Sequence, residues 1–347
     1  MDEVKFAIVG VGGIGTAHGR AMLQTPRARI VALCDIVPSQ MDKFEKLLDE
    51  PVKHYTDFKD VCQDQEVDAI FVGTPNQWHV PVALEAVRQG KHVLSTKPLS
   101  DSKEAARQLV GEADTSGVVN MMSLTMRFSD EVQYLRKLRD SGTFGDLYYA
   151  KARSIRRSGI PDWNLGFIEQ GGGAFRDMGV HVLDASWWLL GMPQPVSITG
   201  VGGAKFGPRG QGYWDFRQPP QSYWERFAAD DFAGGFIRFD NGVGLQVESF
   251  WASHQAPEVQ LEFFGTEAGA KLKPLTLYRT VAGVPHDTVI EIPEKPNPMG
   301  RGILGHFMDC ILEGVPCEAP LRHGYMVQVM MEAMLESAQT GKEIRFD

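Results

Sequence analysis

The chain has 347 residues, 43% of them hydrophobic and 23% charged, an ordinary balance for a folded globular protein and a length that favours two domains. The 44 acids against 35 Lys and Arg leave a net charge of −9, so the surface repels phosphate backbones and anionic lipid, and neither nucleic acid nor membrane is an expected partner. The four cysteines, Cys34, Cys62, Cys310 and Cys317, contain no CxxC pair to suggest a disulfide framework or a zinc site, and the acidic N-terminus lacks the features of a secretory signal, so a cytoplasmic location is expected.

From the N-terminus, short apolar runs alternate with helical patterns, the form of a βαβ sheet. Phe6–Val9 reads as a buried strand, Ile14–Leu23 as a helix opened by a glycine turn, and Arg29–Cys34 as the second strand. A helix over Ser39–Leu48 follows, with Ser39 as its N-cap behind Pro38. Strands are predicted at Ala69–Val72, His92–Ser95 and Val118–Met122, separated by helices at His79–Arg88 and Ser102–Thr115. Residues 1–122 therefore read as a doubly wound domain.

Residues 123–347 form the second domain, where the pattern changes. A helix over Asp130–Leu138 leads into a strand at Leu147–Ile155. Strands at Phe232–Phe239 and Val243–Trp251 flank Asp240-Asn241-Gly242, a type I′ hairpin signal that implies antiparallel pairing. Further strands are expected at Val259–Phe264, Ala270–Lys273 and Val289–Ile292, and closing helices at Ile303–Leu312 and Tyr325–Ser337. The fold class is thus α/β followed by α+β. The least regular stretch, Gly202 to Asp230, carries Tyr213, Trp214, Phe216, Tyr223 and Trp224, and loops of this length usually hold a function or a partner surface. The alternating apolar faces of Val243-Leu245-Val247 and Val259-Leu261-Phe263 would need a cover, which suggests a homodimer or homotetramer.

Chemistry enters with Gly10-Val11-Gly12-Gly13-Ile14-Gly15, a GxGxxG directly after a strand and at the start of a helix. Gly10 permits the tight turn, Gly12 lets backbone approach a pyrophosphate, and Gly15 lets helix pack on strand. Asp35 stands at the end of the second strand, 20 residues after Gly15, where a carboxylate accepts from the adenosine ribose hydroxyls and repels a 2′-phosphate. Together these favour NAD. A second group, Thr74-Pro75-Asn76 with His79 and then Lys97-Pro98, follows the carboxyl ends of two strands, where doubly wound sheets bind ligands. In Gly171-Gly172-Gly173-Ala174-Phe175-Arg176-Asp177-Met178-Gly179-Val180-His181, a regular helix would set Asp177 and His181 one turn apart with Asp184 on the same face. Such a pair either shares a substrate hydroxyl or satisfies itself in the core. Arg153, Arg156, Arg157 and Trp163 read either as a pocket wall, with Trp163 stacking on a sugar, or as solvated edge charges. His306, Cys310, Cys317 and His323 match no common zinc spacing, and a helix that buries Cys310 is expected instead.

This ordered set, from GxGGIG through Thr-Pro-Asn-x-x-His, Gly90-Lys91-His92-Val93 and Lys97-Pro98 to Gly-Gly-Gly-x-x-x-Asp-x-Gly-x-His, resembles the Gfo/Idh/MocA oxidoreductases, the glucose-fructose oxidoreductase and inositol dehydrogenase family. The resemblance runs over nearly the whole chain and includes Gly265-Thr266-Glu267-Ala268-Gly269 and Phe307-Met308-Asp309. It implies an N-terminal Rossmann domain, a C-terminal domain on a large, mostly antiparallel sheet, assembly through that sheet, and sugar or polyol substrates. Carried over by position, Gly10, Gly12, Gly13, Ile14, Gly15, Asp35, Thr74, Pro75, Asn76, His79 and Lys97 would line the cofactor. Lys97, Asp177 and His181 would be catalytic, with Lys97 holding the reacting hydroxyl, Asp177 orienting it and His181 as acid/base; on the pocket-wall reading of the residues themselves, Arg156 and Trp163 would join them on the substrate.

Oxidising an alcohol needs a base for the hydroxyl proton, a hydride acceptor, and positive charge where alkoxide develops, the parts His181, NAD and Lys97 would supply without a metal. Two alternatives share the fold. One is an NAD-retaining redox-lyase that cleaves glycosides, which needs another acid/base such as Tyr213, Tyr223 or His254. The other is a nicotinamide-binding regulator without turnover.

Overall fold

Two compact units make up the computed structural model, which describes residues 2–100, 102–169, 171–293 and 300–346. One takes Met1–Phe128 with Lys295–Gln328, the other Ser129–Glu294 with Val329–Asp347. The expected division at 122/123 thus lacks one feature, the return of a late segment to the first unit.

In that unit the apolar run Val4–Val9 forms β1, followed by α1 (Gly13–Leu23), β2 (Ala28–Cys34), α2 (Pro38–Glu45), β3 (Lys53–Tyr55), α3 (Phe58–Gln63), β4 (Ala69–Val72), α4 (His79–Arg88), β5 (His92–Ser95), α5 (Lys103–Thr115) and β6 (Asn120–Met122). The sheet order is β3-β2-β1-β4-β5-β6 and every neighbouring pair is parallel. Phe6, Ala7, Ile8 and all of β4 are fully buried, as strands covered on both faces must be. Winding reverses between β1 and β4, and in such sheets ligands bind in the crevice at the carboxyl ends of those strands.

Ser39 does not cap α2. Pro38 occupies the first helical turn and Val37 is the capping position, with its N–H held by Asp35 Oδ1 at 2.9 Å. The helix also stops at Glu45, short of Leu48. Ser102, by contrast, caps α5 by accepting from the Ala105 N–H. β3 and α3 carry no expectation because Lys53-His54-Tyr55 is a short polar edge strand without an apolar run. Two later helices follow, α8 (Gln221–Glu225) in the second unit and α9 (Gly305–Leu312) in the first. The late return has a packing cause: α9 buries Phe307, Met308 and Cys310, and Phe307 sits 5.9 Å, ring to ring, from Phe6 of β1.

The second unit begins with α6 (Asp130–Asp140), β7 (Leu147–Ile155), α7 (Val180–Leu189) and β8 (Pro195–Gly203). It continues with β9 (Phe232–Phe239), β10 (Gly244–Phe250), β11 (Glu258–Gly265), β12 (Ala268–Lys271), β13 (Thr276–Val281) and β14 (Val284–Val289). The chain ends with α10 (Leu321–Thr340) and β15 (Ile344–Arg345). Nine strands run β14-β13-β12-β11-β7-β10-β9-β8-β15, antiparallel except for the parallel pair of β7 with β10.

Three expectations change here. The Asn-Gly hairpin joining β9 to β10 forms without a type I′ turn: Gly242 alone has positive φ, its N–H donates to the Phe239 carbonyl, and Asn241 Oδ1 accepts from the Val243 N–H. This is a longer loop closed by one left-handed glycine. The strand expected at Val289–Ile292 coincides with β14 only at Val289. Most of the apolar faces invoked for assembly are covered within the chain, since Leu245, Val247 and Leu261 are fully buried and Val243 and Phe263 nearly so, whereas Val259 remains exposed. Half-buried aromatics hold an adjoining part of the sheet, with Tyr149 6.0 Å from Phe236 and 5.6 Å from Phe264. No helix among the described residues is long and apolar enough to cross a membrane.

Candidate active site

The glycine turn is built at the switch point. Gly10 donates its N–H to the Cys34 carbonyl and Gly73 donates to Val9, which ties the ends of β1, β2 and β4 together. Gly10 has φ of +86°, and a Cβ there would lie 2.6 Å from the Thr74 nitrogen. A Cβ on Gly15 would strike the Gly10 carbonyl oxygen, so helix and turn meet only because both residues are glycine. Gly12 and Gly13 face open space, and α1 starts with no side-chain cap and no acid in its first turn. Its first N–H groups, those of Gly13, Ile14 and Gly15, lie before the earliest intrahelical donor and are available to an anion.

Asp35 does more than the spacing implied. Its Oδ2 accepts from the Val11 N–H at 2.8 Å and its Oδ1 from Val37 at 2.9 Å, so the carboxylate fixes the glycine turn while keeping lone pairs for ribose hydroxyls. Ile36 beside it is 85% exposed, an apolar flank with no cation. Thr74 Oγ1 is buried with no hydrogen-bond partner, an orphaned polar atom in the crevice. Free helix-terminal donors, side-chain-free turn, exposed apolar flank and orphaned hydroxyl together fit a dinucleotide.

Pro75 is exposed, Asn76 half-buried, and Asn76–Trp78 makes one tight helical turn. His79 is buried: its Nδ1 lies 2.6 Å from the Pro98 carbonyl oxygen and its Nε2 2.7 Å from that of Thr74. The ring therefore clamps the two loops expected to line the cofactor. Lys97, at the end of β5, is half-buried, and the Thr96 N–H before it donates to Val72 of β4.

In the second unit, Phe175–Gly179 is a π-helical turn that runs directly into α7. The regular helix assumed for Asp177 and His181 is thus widened by one residue where Asp177 sits, a distortion that recurs at functional sites. Asp230 anchors the turn: its Oδ2 accepts from the Phe175 N–H at 2.9 Å and its backbone carbonyl from Ala174. Gly173, with φ of +116°, passes so close to the Asp230 carboxylate that a Cβ would overlap it. Burial pushes the Asp230 carboxyl up to about 6.

Asp177 is half-buried and its Oδ2 accepts from the Trp251 indole N–H at 3.0 Å. Arg156 lies close enough that the Asp177 charge opposes the downward shift which burial gives its guanidinium. That guanidinium stacks 5.0 Å over Trp214, and Trp163, 55% exposed, meets Trp214 edge-on at 5.4 Å. His181 is half-buried in the first turn of α7, whereas Asp184 is buried within it. The other arginines separate from this group: Arg153 pairs with Glu262 at 2.6 Å and Arg157 is exposed.

Trp251 and Asp230 escape sequence reasoning as site residues, and Trp214 enters it only as one aromatic of the irregular stretch. Trp251 reads as the end of a strand and Asp230 as the end of a loop. Tyr213 is buried with its hydroxyl donating to the Gly207 carbonyl, and burial raises its phenol further, so it does not present an acid to a substrate. The irregular 202–230 stretch packs inward through Tyr213, which joins Ile160, Ile168, Met178 and Trp251 in one apolar cluster.

Two family models match the chain. One, described as oxidoreductase family with an NAD-binding Rossmann fold, covers residues 4–124; the other, the GFO/IDH/MocA C-terminal domain, covers 132–271. A D-glucoside 3-dehydrogenase of Escherichia coli K12 is 29% identical over 99% of this chain and 97% of its own. The scyllo-inositol 2-dehydrogenase (NAD(+)) of Bacillus subtilis 168 is 25% identical over 90% of this chain and 87% of its own. In fold, an oxidoreductase domain protein from Kribbella flavida superposes with a TM-score of 0.86 at 19% identity, covering 100% of both chains. With an NAD-binding Rossmann unit followed by this family's C-terminal domain, the chain belongs to the Gfo/Idh/MocA oxidoreductases.

Proposed function

We propose that this oxidoreductase is a dehydrogenase for a ring hydroxyl of a sugar, polyol or glycoside, with NAD preferred over NADP. The observation that carries the substrate class is the second-unit cluster: a carboxylate oriented by an indole, a guanidinium, and two tryptophan faces. Carboxylate and guanidinium suit vicinal hydroxyls, and tryptophan faces suit the C–H side of a pyranose or cyclitol. Two relatives that match nearly the full chain are dehydrogenases of a glucoside and an inositol. Bound NAD supplies the hydride acceptor.

The remaining chemistry falls to side chains. His181 takes the hydroxyl proton, imidazole being the side chain whose ordinary range suits a base at neutral pH. Asp177, held by Trp251, orients the hydroxyl, and the Lys97 ammonium stabilises developing alkoxide. Arg156 and Trp163 contact the substrate ring. Gly10, Gly12, Gly13, Ile14 and Gly15 hold the pyrophosphate, Asp35 holds the ribose, and Thr74, Pro75, Asn76 and Lys97 line the nicotinamide side with His79 positioning them. Asp35 has no neighbouring cation to receive a 2′-phosphate, which supports NAD. A dimer or tetramer formed through the half-buried aromatics of the sheet, in a reducing cytoplasm that suits four free thiols, completes the reading.

The test is a panel of sugars, inositols and aryl glycosides assayed for net NADH beside leaving-group release. Net NADH supports the dehydrogenase. Release without net NADH supports the redox-lyase, and neither signal supports a regulator.

A further inference from the structure

His306 and Cys310 lie four residues apart on α9, one turn of the helix, and Cys317 follows on the connection to α10. The fold brings one donor atom from each to within 4.8 Å of one another. Cys310 Sγ lies 3.5 Å from His306 Nε2. Bonds of about 2.3 Å to sulfur and about 2.0 to 2.1 Å to nitrogen at a tetrahedral angle place two such donors about 3.6 Å apart. That edge therefore already has the spacing of a loaded site.

The Glu318 N–H donates to His306 Nε2 at 2.9 Å, so the Nε2 lone pair points at that amide, and a metal bound there takes the place of this hydrogen bond. The Cys317 thiol points at the Asn120 carbonyl at 3.6 Å, a weak contact that a cation would replace. Cys310 is buried, while His306 and Cys317 are half-buried and leave a path for entry. Two thiolates neutralise a divalent ion, so a partly buried site carries no net charge. His323 stays apart, its Nδ1 facing the Arg127 guanidinium at 3.1 Å.

We propose that His306, Cys310 and Cys317 form a zinc site with water in the fourth position, stapling α9 to the connection that follows it. Loading releases the two thiol protons to solvent and forms two Zn–S bonds and one Zn–N bond. Soft thiolate and imidazole donors select zinc over magnesium or calcium.

The experiment titrates tag-free, air-free purified full-length protein with cobalt(II) and then zinc. One equivalent of cobalt should give thiolate-to-cobalt charge transfer in the near ultraviolet with strong tetrahedral bands in the red, and zinc should erase both. Cys317→Ser and His306→Ala should each lose the tetrahedral bands, while Cys34→Ser with Cys62→Ser should retain them. Should the ligand variants fail to fold, thiol alkylation of the wild type decides, with zinc shielding Cys310 and Cys317 alone. Absence of the bands at one equivalent, bands that survive Cys317→Ser, equal alkylation with and without zinc, or a Cys310–Cys317 disulfide in the air-free protein would each overturn the proposal.

Discussion

The cofactor cradle of the first unit and the proposed acid/base region of the second are assembled over different distances along the chain. Asp35 reaches back 24 residues to fix the glycine turn, within one βαβ unit. Asp177 is held by a tryptophan 74 residues away, and the turn that carries it by an aspartate 55 residues from Phe175. The first site is thus mainly a matter of backbone shape, where the absence of side chains is the functional property. The second depends on long-range side-chain anchors, and its failures should trace to those anchors.

The comparison is sharpest at two glycines. Gly15→Ala forces a Cβ onto the Gly10 carbonyl, so NAD affinity should fall by at least about 100-fold, which needs only about 2.7 kcal/mol. Gly173→Ala forces a Cβ onto Asp230, and its damage should appear as loss of turnover and lowered melting temperature with NAD affinity kept. Calorimetric NAD titrations of both variants check this, and equal loss of affinity in both would break the distinction.

Asp230 gives a pH signature to the second region. Its folded value of about 6 lies above the 3.8 of the free group, so the folded chain retains a proton that the unfolded chain releases. The stability it contributes is fully present below about pH 4, declines as pH rises to about 6 and changes no further above, by about 3 kcal/mol at most at about 1.4 kcal/mol per unit. Asp230→Asn cannot ionise. Denaturant midpoints between pH 4 and 7 should therefore show the wild type losing ground to the variant over that window, and parallel curves would remove the role of burial.

Smaller effects follow at the rims. Asp35→Asn should erode the preference for NAD over NADP by about tenfold, or about 1.4 kcal/mol, and also loosen the turn held through Val11. Trp163→Ala should raise KM for a sugar about five- to tenfold through a lost stacking face of about 1 kcal/mol, with kcat nearly kept. Steady-state kinetics with both cofactors and graded substrate read both outcomes.

Much of the first unit is legible in the sequence because its signals are local. Apolar runs mark the central strands, and Gly10 to Gly15 with Asp35 carry their geometry in the residues themselves. β3 is not legible, because a three-residue polar edge strand leaves no periodic trace. In the second unit, Asp177 and His181 stand out as residue types, yet the π turn between them depends on Asp230, which no local pattern links to Phe175. Trp251 is hidden for the same reason, since a strand-terminal tryptophan reads as core until the fold aims its indole N–H at Asp177. The cluster of His306, Cys310 and Cys317 passes as a buried helix face because its spacing follows this fold rather than a recurrent zinc motif.

The most direct test measures turnover and NAD affinity of His181→Ala side by side on the substrate that the panel assay identifies. If the second unit holds the base while the first independently holds NAD, turnover should fall by about 100- to 10,000-fold with NAD affinity and melting temperature unchanged. Turnover near the wild-type value, or a loss that follows a collapse in melting temperature, would contradict it.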